Sequence, residues 1–133
     1  MKIKLNQPIL NFNGKTFVQD EKILDPKDVE KKKFIIIQKP LLLRDLIINS
    51  LLAPKQGDDA KAKLLKSKLA EEVYNAESEI DLPTEKVIVI KAMIDFFYQT
   101  PFVVYDAYRL IEGEVTRDEI KDTDNIVNVN SNS

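Results

Sequence analysis

Carboxylates are the main side chains with which this 133-residue chain could do chemistry, because it contains no histidine, cysteine or tryptophan. Imidazole and thiolate groups supply most zinc, iron and cysteine-nucleophile chemistry, so their absence argues against those enzyme classes. Two acidic clusters could chelate Mg²⁺ or Ca²⁺ through oxygen ligands. They comprise Glu71, Glu72, Glu77, Glu79 and Asp81, and then Asp118, Glu119, Asp122 and Asp124. Neither has calcium-loop spacing, so we interpret both as solvated surface and predict no cofactor and no metal site.

Glycines and serines carry no catalytic signature either. The three glycines form neither a dinucleotide fingerprint nor a phosphate-binding loop, and none of the five serines lies in a G-x-S-x-G elbow. No histidine is present to activate a serine. The sequence therefore predicts a protein that is not an enzyme and has no catalytic residues.

Aromatic and charged side chains are the better candidates for function, as interaction residues. Tyr98, Tyr105 and Tyr108 recur around a short interhelical segment, where we expect mostly core packing. Tyrosine is also over-represented at protein interfaces, so an excess of tyrosines marks an interaction surface. The charged candidates lie on one helix, and they are Lys61, Lys68, Glu71 and Glu72.

The chain is electrically polarised along its length. Residues 1–70 carry 15 basic and 8 acidic side chains, a net of +7, whereas residues 71–133 carry 5 and 14, a net of −9. Nucleic-acid binding through the lysines is one interpretation. On a helical wheel, however, Lys61 and Lys68 flank the apolar stripe on one side and Lys63 and Lys66 on the other, which favours lysines packed beside a buried stripe. On the same helix the lysines lie near the positive pole of the helix dipole and the glutamates near its negative pole, which is unfavourable. This arrangement predicts that a neighbouring copy, packed head to tail, supplies compensating charges.

The N-terminal part of the chain predicts β structure. Alternating apolar residues surround Asn13-Gly14, which predicts a hairpin with a type I′ turn between residues 9–12 and 15–18. The charged stretch Gln19–Lys33 is expected to be a loop. The β-branched run Phe34–Ile37 predicts a third strand.

Four helices are predicted after Pro40, where apolar residues recur every three or four positions. The first ends at Pro54, the second begins at Gly57-Asp58-Asp59, and the third begins at Leu82-Pro83-Thr84. The fourth has Thr100 as N-cap, Pro101 in its first turn and Gly113 after its end. We expect the third and fourth helices to form an antiparallel pair whose aromatic ends build the core.

These elements predict an α+β fold, in which a β-hairpin or three short strands precede a four-helix bundle-like core. A single domain is expected over residues 1–113, β-rich over 1–40 and helical over 41–113. Residues 114–133 form a polar acidic tail, predicted to be disordered, whose removal from residue 116 should leave the melting temperature unchanged. No apolar stretch is long enough to span a membrane, and the N-terminus lacks the apolar region of a secretory signal.

Four stretches together resemble small, mostly uncharacterised proteins of tailed bacteriophages and prophages. They are Leu43–Ala53, Ala70–Leu82 (AEEVYNAESEIDL), Ile90-Lys91 and Pro101–Gly113 (PFVVYDAYRLIEG). The resemblance departs at Pro83, which stands where a serine or threonine cap is expected. It implies a viral origin and production in the cytoplasm of a bacterial host, and it assigns no functional residue.

We therefore expect a non-enzymatic protein-protein interaction protein, a bacteriophage virion or assembly component. Its expected partners are further copies of itself or other phage proteins, with no membrane partner. The alternative is a small DNA-binding or host-directed regulatory phage protein that uses the basic N-terminal half. The expected location is the cytoplasm of the bacterial host, with the virion as the alternative.

Overall fold

The computed structural model of the protein describes residues 1–120 and the backbone of residues 127 and 128. In this described part, short antiparallel strands lead into four helices, so the α+β prediction is confirmed. The strands are β1 (Lys2–Lys4), β2 (Val18–Leu24), β3 (Phe34–Pro40), β4 (Glu79–Asp81) and β5 (Val127–Asn128). The helices are α1 (Leu43–Leu52), α2 (Ala60–Asn75), α3 (Thr84–Phe97) and α4 (Pro101–Glu112).

The strands form two separate sheets. β1 pairs antiparallel with β4, with Lys2 opposite Asp81 and Lys4 opposite Glu79. In the second sheet β3 lies between β2 and β5. Strand β4 was not predicted, because three residues are too few to show an alternating pattern. It ties the start of the chain to the segment between α2 and α3.

Strand β2 contradicts the predicted loop over Gln19–Lys33. Its residues pair antiparallel with β3 along the full length, from Val18 opposite Pro40 to Leu24 opposite Phe34. Only residues 25–33 form a loop, and the Asp28 carboxylate holds it by accepting from the amides of Lys32 (3.0 Å) and Lys33 (2.7 Å). The prediction failed because charged residues on a largely exposed strand give no burial pattern.

The predicted hairpin around Asn13-Gly14 is present, but its turn type is not I′. An antiparallel bridge joins Leu10 and Thr16, and the Gly14 amide donates to the carbonyl oxygen of Asn11 at 2.9 Å. Gly14 has a φ of +82°, whereas the only non-glycine residue of the described part with positive φ is Lys31. Asn13 therefore lacks the left-handed conformation that type I′ requires, and Gly14 takes the left-handed bulge position that follows a type I turn.

Helix boundaries follow the predicted capping residues. The Asp59 side chain accepts from the Ala62 amide at 2.8 Å and caps α2. Pro101 occupies the first turn of α4, and Gly113 ends that helix with a φ of +74°. Thr100 is the N-cap of α4 but makes no side-chain capping bond, and Pro83 takes the same position before α3.

The core is centred on α1, which packs against both α2 and α3. Leu43, Leu46 and Ile47 of α1 are fully buried. The predicted aromatic core between α3 and α4 is wrong in part, because Phe96 and Phe97 are each 42% exposed. Apolar aliphatic residues fill the interior instead, including Ile3, Leu5 and Ile9 of the N-terminal segment.

Arg44 of α1 caps the C-terminal end of α2. Its Nη1 donates to the carbonyl oxygens of Val73 (2.7 Å) and Ala76 (2.6 Å), and its Nη2 donates to that of Glu77. A cation at this end satisfies free carbonyl groups and opposes the negative pole of the helix dipole. Arg44 thus supplies, within one chain, compensation that the sequence analysis assigned to a neighbouring copy.

The left-handed turn predicts a specific effect of substitution at Gly14. A Cβ at this position would meet no atom within 4 Å, so the cost of Gly14→Val comes from the backbone conformation alone. We expect a loss of about 1–2 kcal/mol in the free energy of unfolding, measured by urea denaturation. Gly14→Asn is the control and should lose less, because asparagine tolerates positive φ. Equal stability of the Val variant and the parent would contradict this turn geometry.

Candidate interaction surfaces and the buried ion-pair cluster

A buried carboxylate connects the two ends of the described chain. Asp106 of α4 has no exposed surface. It receives two hydrogen bonds from the Arg117 guanidinium, at 2.5 and 2.6 Å, and one from Arg109 at 2.8 Å. The Leu10 amide donates to the same carboxylate at 3.0 Å. Paired and fully hydrogen-bonded in this way, the charge is held in the interior without a free acceptor facing solvent.

Arg117 extends this cluster to the N-terminal segment. Its Nη1 donates to the carbonyl oxygen of Pro8 at 3.0 Å, and its amide donates to Oε1 of the buried Gln7 at 2.8 Å. The Ile120 amide donates to the carbonyl oxygen of Asn6 at 2.9 Å. The prediction of a disordered tail from residue 114 is wrong for residues 117–120, because these contacts pack them against the domain. Removal of the chain from residue 116 is therefore expected to lower the melting temperature. Its remainder from residue 121, apart from the backbone of β5, lies outside the described residues.

The electrostatics of the cluster favour the ionised carboxylate. Burial by itself raises the pKa of Asp106, but hydrogen bonds from Arg117, the Leu10 amide and Arg109 outweigh it and hold that pKa below its ordinary value. A proton donor or acceptor for catalysis needs a pKa near the working pH and room for a substrate. Asp106 has neither, so its role is to join α4 to the two flanking segments.

Asp106 was missed by the sequence analysis, although a signal was present. The residue lies on the apolar face of α4, at helical spacing from Val103, Ala107 and Leu110. An acidic residue in such a stripe predicts a buried charge with a partner. The partner is Arg117, 11 residues later in the chain and beyond the helix, where no local pattern indicates it.

The three predicted tyrosines occupy different environments. Tyr108 packs against the core and donates its hydroxyl to the carbonyl oxygen of Lys91 at 2.8 Å. Tyr98 is half-buried beside Asn49, and burial raises the pKa of its phenol. Tyr105 is exposed. Of the three, Tyr105 is the one whose ring lies mainly on the surface.

Tyr105 belongs to an aromatic surface that the hairpin completes. Its ring centroid lies 5.9 Å from that of Phe102, which in turn lies 6.3 Å from the ring of Phe12 at the hairpin turn. The Arg109 guanidinium lies 4.8 Å from the Tyr105 ring centroid. We call Phe12, Phe102 and Tyr105 the aromatic surface.

The charged candidates are all exposed on α2. Glu72 is engaged within the chain, because the Lys86 ammonium donates to it at 2.7 Å. Lys61 and Lys68 lie beside Leu64 and Leu65, and these side chains line a shallow groove of about 400 Å³. The apolar stripe predicted for α2 comprises Ala62, Leu65, Leu69, Val73 and Ala76. Leu65 is 48% exposed, so this stripe is fully buried only in its C-terminal half, at Leu69 and Val73.

The two-stranded ribbon of β2 and β3 carries an exposed apolar face that was not predicted from the sequence. Leu24 lies opposite Phe34, and Ile36 is two residues further along β3 on the same face. Phe34 is 53% exposed, and the Lys22 ammonium lies 4.7 Å from its ring centroid. We call Leu24, Phe34 and Ile36 the ribbon face. The run Phe34–Ile37 predicted a strand, but sequence alone could not show which of its faces stays open.

The clefts and the acidic side chains provide weaker evidence of a binding site than the exposed surfaces do. A cleft of about 490 Å³ lies between the end of α1 and α2, and the Lys66 ammonium within it is paired with Asp58 at 2.5 Å. Among residues 1–120, no three acidic side chains are arranged to hold a metal ion. Likewise, no helix within the described residues has the length and apolar character needed to cross a bilayer.

Comparison of the chain with protein-family models, curated proteins and solved structures finds no match.

The ion-pair cluster predicts that Arg117 stabilises the domain. Arg117→Ala leaves Asp106 buried with fewer partners, and breaking a buried pair costs about 3–5 kcal/mol. The melting temperature in thermal unfolding should fall by roughly 10–20 °C. The neighbouring exposed Asp118→Ala serves as control and should change stability by less than about 0.5 kcal/mol. An unchanged melting temperature for Arg117→Ala would mean that the segment after Gly113 does not stabilise the fold.

The lowered pKa of Asp106 predicts a dependence of stability on pH. A folded-state pKa below the unfolded value of about 3.9 contributes stability that is complete above that value. The contribution is lost as pH falls through the lower, folded-state pKa. Asp106→Asn removes this titration, so its free energy of unfolding should fall less steeply with acid than that of the parent. Parallel curves for the two proteins below about pH 4 would contradict the assignment.

Proposed function

We propose that the protein is a non-enzymatic protein-protein interaction protein and a bacteriophage virion or assembly component. The single observation that carries the interaction proposal is the ribbon face, where Leu24, Phe34 and Ile36 are adjacent and exposed. Exposed apolar patches of this kind characterise interaction sites in soluble proteins. The aromatic surface supplies a second patch with an interface-like composition.

The distribution of buried polar groups supports a binding role over catalysis. Asp106, Gln7 and Ser50 are the buried polar or charged residues of the described part, and each is hydrogen-bonded within the fold. Ser50, for example, donates to the carbonyl oxygen of Leu46 at 2.8 Å. These groups hold elements together, whereas the accessible surface carries the apolar side chains that a partner would cover.

The phage part of the proposal rests on the resemblance of residues 41–113 to tailed-phage proteins. On this basis we propose production in the cytoplasm of a bacterial host, with either further copies or other phage proteins as partners. The position of the encoding gene would test this part of the proposal independently. Neighbouring head and tail genes favour assembly, whereas an early operon favours regulation.

Co-elution with candidate partners tests the interaction proposal. The protein would be mixed with the purified products of neighbouring head and tail genes and analysed by size-exclusion chromatography with light scattering. We expect a complex that Phe34→Thr with Ile36→Thr abolishes, since threonine retains strand propensity and removes apolar surface. Val29→Thr, in the loop outside the ribbon face, is the control. Failure to bind any product or to self-associate would refute the proposal.

DNA binding by a regulatory protein is the alternative that the lysines favour. Lys31, Lys32 and Lys33 are exposed in the loop between β2 and β3. The protein should then bind duplex DNA at about 50 mM salt, and its affinity should fall steeply as the salt concentration rises. Absence of binding in a fluorescence titration at that salt concentration would eliminate this alternative.

A further inference from the structure

The exposed face of α2 has the spacing of a helix-pairing seam. Lys61, Leu64, Lys68 and Glu71 follow one another at steps of three, four and three residues, and all four are exposed. This spacing places them in one stripe, as in the contact positions of a coiled coil. We call these four residues the α2 seam. Leu65, also exposed, lies at its margin.

We propose that a second copy of this chain covers the α2 seam, with the two α2 helices antiparallel across a twofold axis near residue 66. This proposal rests on the proposed interaction function and names the partner of one surface. Antiparallel alignment about that position puts Lys61 opposite Glu71 of the second copy and Leu64 opposite Lys68. By symmetry each of these pairs occurs twice, so the contact closes at two subunits.

Charge and shape complementarity both favour this alignment. Lys61 and Glu71 have no intramolecular ion pair among the described residues, whereas the neighbouring Glu72 is already bonded to Lys86. Leu64 would pack on the apolar stem of the opposite Lys68, whose ammonium group stays in solvent. A parallel alignment would instead place lysine against lysine and glutamate against glutamate along the seam.

The alignment differs from the head-to-tail packing predicted from the sequence. That prediction rested on uncompensated charge at the ends of α2. Asp59 at the N-cap and Arg44 at the C-terminal end now account for compensation within one chain. The α2 seam lies along the side of the helix and not at its ends, which fits a closed dimer better than an open chain.

Charge reversal in two separate variants tests the pairing. Lys61→Glu places like charges opposite Glu71, and Glu71→Lys places like charges opposite Lys61. Each variant alone should dimerise about tenfold or more weakly than the parent in analytical ultracentrifugation. An equimolar mixture of the two variants should recover association, because each of the two contacts in the mixed dimer then pairs a glutamate with a lysine. The recovered species should have twice the 15.3 kDa mass of the chain.

These substitutions separate loss of pairing from loss of folding. Lys61→Glu near the start of α2 and Glu71→Lys near its end both favour the helix dipole, so the helix itself should be retained. Lys63→Glu carries the same charge change as Lys61→Glu but lies about 120° around the helix from the seam. This control should dimerise like the parent.

Several other results would contradict the α2 dimer. A parent that stays monomeric up to about 1 mM at low salt overturns the α2 dimer but leaves the ribbon-face proposal to its own co-elution experiment. A dimer that resists both charge reversals overturns the α2 seam while supporting self-association through another surface. A mixture that does not recover overturns the antiparallel pairing of Lys61 with Glu71. Masses beyond twice the chain would favour head-to-tail packing.

Discussion

The Asp106 carboxylate is the interaction on which the arrangement of the described chain most depends. An ionised carboxylate without solvent contact is tolerated only when several donors surround it. Those donors come from α4 itself, from the backbone near Leu10 and from Arg117. The requirement to satisfy one charge therefore fixes where the N-terminal segment and the segment after α4 must lie. Arg44 does the same for the end of α2, so two arginines position the irregular parts around the apolar core.

This arrangement separates structural polar groups from available surface. The buried polar residues form hydrogen bonds within the chain, whereas exposed apolar side chains occur in the ribbon face, the aromatic surface and the α2 seam. The surfaces arise on different elements: a two-stranded ribbon, a turn against a helix, and one helix face. This distribution is the basis of the interaction function proposed above.

Local patterns predicted the elements whose causes are local. Asp59 lies at the start of α2 and Gly113 at the end of α4, as predicted, because capping depends on a few consecutive residues. Strand β2 escaped prediction because its charged residues become a strand through pairing with β3. The Asp106 cluster escaped for a related reason, since its partners are distant in sequence. Among the interaction candidates, Lys61, Lys68 and Glu71 are exposed, and only the structure distinguishes Glu71 from Glu72, which is paired with Lys86.

The long-range ties of the N-terminal segment have a consequence for synthesis on the ribosome. Ile3, Leu5 and Ile9 are buried by elements that follow much later, and Pro8 is held by Arg117. Translation delivers the chain from its N-terminus at about 5–20 residues per second. These apolar residues therefore emerge many seconds before α4 and Arg117 exist to cover them. During that interval the nascent chain exposes the type of apolar segment that chaperones bind.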